Sequence, residues 1–194
     1  MKQAVKSFIG KLVESLKAIY EQNKLYDFRH NPNITIEAGL TIESYFSANL
    51  PEDKFSIKFG SHVRIKKYCH ILMFPGAALT IGSNVFFNNY CSINCLEKIS
   101  IGENTMFGEG VKLYDHNHLF GYKEKVLEVS RDQFQTAPVT IGKNCWIGSN
   151  VAILKGVTIG DNVIVGANCL VYKSVESNTV IKAKSEYIIE SSQN

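Results

Sequence analysis

The stretch LYDHNHLFGY, residues 113–122, sets two imidazoles, His116 and His118, beside Asp115 and among polar and aromatic neighbours. Imidazole titrates near neutrality and can take a proton from a hydroxyl nucleophile, so this is the candidate acid–base element. Two histidines on an exposed turn are poor core packing, and a solvated loop histidine is the bland competing reading. Tyr114 and Asp115 are placed to face an acceptor. Asp115, Glu124 and Glu128 also compete for the task of orienting an imidazole, and sequence spacing does not choose among them.

The element that positions these residues is legible as an internal repeat of six. Branched or bulky apolar residues fall at Ile81, Phe87 and Ile93, at Ile101, Phe107 and Leu113, at Ile141, Ile147 and Ile153, and at Ile159, Val165 and Val171. The next residue is often Gly (Gly82, Gly102, Gly108, Gly142, Gly148, Gly160, Gly166), and four residues on stands a small or β-branched one such as Val85, Cys91, Thr105 or Val151. Neither the helical period of 3.6 nor the strand period of two explains this pattern. A coil with three short flat faces does. Each hexapeptide makes one face and one corner, the large residue fills the interior, and Gly or Asn takes the strained corner backbone. A weaker upstream set, Ile36, Ile42, Phe59, Ile65 and Ile71, extends the coil. Four of the five cysteines, Cys69, Cys91, Cys145 and Cys169, take the small inward position. The odd count and the lack of a C-x-x-C pair indicate neither a disulfide framework nor a zinc ribbon.

The sequence resembles the hexapeptide-repeat O-acetyltransferases, the group of galactoside, maltose and nodulation-factor acetyltransferases, over residues 57–182. It is nearest to the branch that acetylates capsule and lipopolysaccharide sugars. IGSNVFFNN, the D-H-x-H of residues 115–118, and PVTIGKNCWIGSN carry the likeness. The resemblance implies an all-β, single-stranded left-handed parallel β-helix. The handedness comes from the family, because it opposes the usual right-handed crossover. It also implies acetyl-CoA as cosubstrate, no metal, and a homotrimer with sites between subunits. In register, the family's catalytic base falls on His118, with His116 as an acceptor contact, and its functional Asn on Asn88. Its channel Trp falls on Trp146, and its coenzyme contacts on Ser149, Ala167, Tyr172 and Lys173. The implied reaction is removal of a sugar hydroxyl proton by His118 as the oxygen attacks the thioester. The chain departs from the family at its late G-x-P and following Arg residues, replaced by Ala183-Lys184-Ser185, Tyr187 and Glu190. Lys173, Lys182 and Lys184 stand as substitute charges. Cys95 and Leu96 replace the family's acidic substrate residue.

Three interruptions of the period mark where function would sit: Ile71 to Ile81, Ile93 to Ile101, and above all Leu113 to Ile141. The expected organisation is an N-terminal amphipathic helix and linker (1–30), the acyltransferase coil (31–182) with an inserted loop (119–138), and a tail (183–194). The helix, expected over 4–22, reads first as a cap over the open end of the coil. A peripheral membrane anchor, helped by Lys2, Lys6, Lys11 and Lys17, is the second reading. A net charge of +3 from scattered residues does not suggest nucleic acid, and no signal peptide or spanning segment is present, so the expectation is a cytoplasmic enzyme. The acceptor is expected to be a hydroxyl of a sugar or polysaccharide. The alternatives are the amine of an amino sugar, an antibiotic, or a zinc carbonic-anhydrase-like hydratase, which would need two histidines five residues apart. A non-catalytic scaffold is the last rival. Phe120, Tyr122 and Phe134 in the loop suggest stacking on a sugar ring.

Overall fold

The computed structural model describes residues 2–52 and 54–183, so the expectations placed on Lys184, Ser185, Tyr187 and Glu190 lie outside the described residues. The hexapeptides wind into a parallel coil whose strands stack into three sheets of six, seven and six strands. The first face holds, among others, Ser56–Phe59, Ala78–Ile81, Lys98–Ile101 and Val139–Ile141. The second holds Phe86–Phe87, Met106–Phe107, Trp146–Ile147 and Ile164–Val165. The third holds His70–Met73, Ser92–Cys95, Lys112–Tyr114 and Ala152–Ile153. Register follows the repeat: Ile81 pairs with Ile101, Ile101 with Ile141, and Ile141 with Ile159. Both inward positions of each hexapeptide are buried, so Leu79, Val85, Phe107, Ile141, Ile147 and Ile153 form one continuous core. Each such side chain removed from water stabilises the coil by about 1.5–3 kcal/mol, and each rung depends on the next to cover it. All five cysteines are free and buried, Cys95 included.

The corners depart from the expected division of labour. The glycines that follow the core residue have ordinary backbone angles, and the positive φ falls two residues later, on Asn84, Asn104, Asn144, Asn162 and Asn178 at the first corner. Asn tolerates this region because its short amide bonds locally. Here the amides also bond one another along the axis, at 3.0 Å for Asn84–Asn104, 3.2 Å for Asn104–Asn144, 3.3 Å for Asn144–Asn162 and 3.0 Å for Asn162–Asn178. The glycines are needed for close approach instead: a Cβ on Gly102 would lie 2.5 Å from the carbonyl carbon of Gly142.

The longest interruption is not an irregular loop but an antiparallel ribbon, His116–Lys123 against Val126–Thr136. It leaves the coil at the third corner, between the third and first faces. Its neck is closed by the Ala137 N–H donating to the Asp115 carbonyl at 2.9 Å.

The N-terminal helix spans Lys2–Arg29, longer than expected. Only its last turns cap the coil. Leu25 packs on the core, and Phe28 is buried edge-on against Phe46 and Phe59. The apolar stripe of Phe8, Ile9, Leu12, Val13, Leu16, Ile19 and Tyr20 is exposed. At 3.6 residues per turn it lies roughly half a turn from Leu25 and Phe28. The cap reading therefore holds for the end of the helix and not for its stripe. No helix among the described residues is long and apolar enough to cross a membrane.

Candidate active site

At the third corner, Asp115 ends the last strand before the ribbon and turns inward. Its carboxylate is fully buried. It accepts the N–H groups of Leu96 (2.8 and 3.0 Å), Glu97 (2.7 Å) and Lys98 (2.8 Å), three consecutive donors that form an anion nest. This corrects the expectation that Asp115 faces an acceptor, because its oxygens are consumed by the tight turn one rung earlier. Burial, and then the Asp115 charge, push the neighbouring Cys95 thiol up and keep it inert. The carboxylate also reaches His116, whose Nδ1 lies 3.3 Å from Oδ1. A carboxylate only accepts, so it holds His116 with the proton on Nδ1.

His118 is exposed, and its Nδ1 lies 2.9 Å from the Ser130 carbonyl oxygen. A carbonyl also only accepts, so Nδ1 carries the hydrogen and Nε2 of the neutral ring keeps a free lone pair, the arrangement a general base needs. The Ser130 carbonyl is presented by a bulge. His118 pairs with Phe134 but Phe120 with Val129, and the extra residues are tied by Gln133 N–H to Ser130 Oγ and by Ser130 Oγ to Asp132, both at 3.0 Å. Bulges re-aim side chains in this way. The orienting group that sequence could not choose is thus Asp115 for His116 and a backbone carbonyl for His118. Glu128 pairs with Gly121 farther along the ribbon, and Glu124 sits at its tip.

Phe134, expected as a sugar contact, is engaged elsewhere. Its ring lies 5.5 Å from Phe74, 5.4 Å from His116 and 4.8 Å from His118, so it wedges the two imidazoles against the coil. Sequence reasoning missed this buttress, because Phe74 comes from an interruption two rungs below. Tyr114 is half-buried and meets His116 edge-on at 6.0 Å. Phe120 and Tyr122 are exposed on the ribbon.

Asn88, Ser149 and Ala167 stand at the second corner, between the second and third faces. Asn88 is half-buried and its Oδ1 accepts the Asn89 N–H at 2.9 Å. It is not a positive-φ residue, so backbone freedom does not explain it. Ser149 and Ala167 occupy matching places on successive rungs above. Trp146 projects from the second face, half exposed, between Met106 and Ile164. Tyr172 and Lys173 line an open pocket at the end of the coil with Ser174, Glu176 and Thr179, the Lys173 ammonium 5.6 Å over the Tyr172 ring. Within one chain Asn88, Ser149 and Ala167 are separated from His118 by the whole third face, roughly 13 Å for four extended residues. Tyr172 and Lys173 instead follow the third-face strand Leu170–Val171 and stand at the third corner, on a higher rung than Tyr114. Among the described residues no three His, Cys, Asp or Glu side chains cluster as metal ligands.

Comparison with known proteins agrees with this architecture. Residues 138–173 match the family described as bacterial transferase hexapeptide (six repeats). The chain is 31% identical over 139 residues to the putative lipopolysaccharide biosynthesis O-acetyl transferase WbbJ of Escherichia coli K12, covering 69% of this chain and 71% of that protein. It is 32% identical over 104 residues to nodulation protein L of Rhizobium leguminosarum bv. viciae, 53% of this chain and 50% of the relative. In fold it superposes on the N-acyltransferase AntD of Bacillus cereus with a TM-score of 0.66 at 18% identity, over 84% of this chain and 87% of that one. The parallel triangular coil, the repeat register and the curated relatives together place the chain in the hexapeptide-repeat acyltransferase family.

Proposed function

We propose that this enzyme transfers an acetyl group from acetyl-CoA to a hydroxyl of a sugar or polysaccharide, with His118 as general base. The observation that carries the reading is the His118 tautomer: a carbonyl holds Nδ1–H, so Nε2 is free to take the hydroxyl proton. Acetyl-CoA supplies the activated acyl group. Asn88 presents its side-chain amide to the reacting end of the site, and Trp146 walls the coenzyme's alkyl-amide arm. Ser149 and Ala167 offer backbone groups along one corner, and Tyr172 and Lys173 suit a flat base and phosphate charge. The sugar acceptor is favoured by the likeness to WbbJ, described as a putative lipopolysaccharide biosynthesis O-acetyl transferase.

The distance between His118 and the second corner supports a site shared between chains of a homotrimer. The ribbon points the same way: a lone two-stranded ribbon is marginal in water, and this one exposes Leu119, Phe120, Tyr122, Val126, Leu127 and Val129. The outward column Phe86, Met106, Trp146, Ile164 on the second face is the apolar strip for subunit contact, whereas the first face presents Thr80, Ser100, Thr140 and Thr158. The helix stripe fits a peripheral membrane contact, since the helix carries an excess of Lys and Arg over Asp and Glu. A cytoplasmic location goes with this reading.

The test is thiol release from acetyl-CoA over a panel of sugars, amino sugars and antibiotics. His118→Ala is expected to lower turnover by about two to four orders of magnitude. Undiminished turnover in that variant would remove the assignment, and amide rather than ester products would redirect it to N-acetylation.

A further inference from the structure

At the second corner the left-handed backbone position is taken by Gly110, Asn150 and Asn168 on the upper rungs, but by Tyr45, Tyr68 and Tyr90 on the lower three, at φ of 62, 60 and 62°. A bulky residue in this region costs of order 1–3 kcal/mol, and Asn would do the same backbone work with less strain. The strain maintains an aromatic ladder. Tyr45 and Tyr68 stack at 4.8 Å and Tyr68 and Tyr90 at 4.9 Å, each pair 4° from parallel, and all three rings are about half exposed.

The place of the ladder on the corner suggests its use. Read along the axis, Ser149 and Ala167, assigned to the coenzyme, lie above. Asn88, assigned to the reacting end, shares a rung with Tyr90. The lower rungs are what remains for the acceptor. The ladder stops where it would otherwise crowd that junction. The next rung is Gly110, which has no side chain to cover the Tyr90 ring, and near a Cβ placed there the only atoms would be from Asn150. Around this step stand Glu109, bonded by Asn89 Nδ2 at 3.2 Å, and Lys112, whose Nζ donates to the Gly110 carbonyl at 3.1 Å. An aromatic face ringed by a carboxylate, an ammonium and amides suits a pyranose, which offers a C–H face and hydroxyls together.

We infer that Tyr90, Tyr68 and Tyr45 form an acceptor subsite for an extended glycan, its reacting sugar over Tyr90 and its following sugars running down the ladder. This rests on the sugar-acetyltransferase reading and makes it more specific: the enzyme prefers an oligosaccharide or polysaccharide to a monosaccharide.

The experiment compares acetylation of mono-, di- and hexasaccharides of one acetylated sugar by the wild type, Tyr90→Asn and the double variant Tyr68→Asn/Tyr90→Asn. Asn is the residue other corners use here, so the coil should keep its melting temperature and oligomeric mass. The wild type is expected to gain about tenfold or more in kcat/KM from mono- to hexasaccharide, the value of one good aromatic contact. Tyr90→Asn should flatten that gain through KM, with the KM for acetyl-CoA unchanged. Three results overturn the subsite: no length preference in the wild type, a full preference retained by the double variant, or subunit dissociation caused by Tyr90→Asn. If no sugar is acetylated at all, the function proposed above fails with it.

Discussion

At the residue scale the site is built from groups that can only accept hydrogen bonds, each fixing what an imidazole must do. Asp115 does two jobs, closing a turn through three backbone N–H groups and holding His116. Asp115→Ala would leave those buried donors unsatisfied, at about 1–3 kcal/mol each. The variant is therefore expected to lose several degrees of melting temperature as well as turnover, with Asp115→Asn intermediate. A melt equal to wild type would mean the nest carries no energy. The place of His118, just past the inward Leu113, was legible from the repeat, while its role as base was read from the register of the resembled family. Its partner was not legible, since a carbonyl that orients a ring belongs to no residue type. Asp115 was misplaced for a related reason: a carboxylate beside two histidines reads as chemistry, and nothing in its own segment announces three donors from the preceding rung.

At the element scale the hexapeptide sorts glycines into two physical kinds. Gly102 faces backbone of the next rung at 2.5 Å, whereas a Cβ on Gly10 in the helix meets nothing within 4 Å. Gly102→Ala is expected to destabilise the coil by about 1–3 kcal/mol or more, and Gly10→Ala to stabilise the helix by about 0.5–1 kcal/mol. Thermal denaturation followed by circular dichroism distinguishes them, and equal effects would contradict the close-approach explanation. The coil was readable because inward positions repeat every six residues whatever the detail of the corners. The ribbon was not, because its reversal at Glu124 and Lys125 places two charged residues at φ of 49 and 66°, where the usual signal is Asn-Gly.

At the scale of the whole molecule two predictions follow from surfaces that one chain leaves unfinished. If His118 of one subunit serves Asn88 of another, co-refolding Asn88→Ala with His118→Ala chains should regain a measurable part of the activity that each lacks alone. A mixture as inactive as its components would put both residues in one chain's site. If the helix stripe rests on lipid, the wild type should co-sediment with vesicles containing anionic lipid and Leu12→Glu/Leu16→Glu should stay in the supernatant. Equal partitioning of the two would assign the stripe to another partner.

The ribbon leaves the coil after Asp115 and returns at Val139, yet Ile99 pairs with Val139 and Lys112 with Ala152 as though nothing intervened. An insertion that takes no rung from the scaffold can be lengthened, shortened or exchanged with little entropic penalty. The outer part of this arm, beyond Phe120 and Val129, can thus vary while His118 at its root and the wound rungs beneath keep their places.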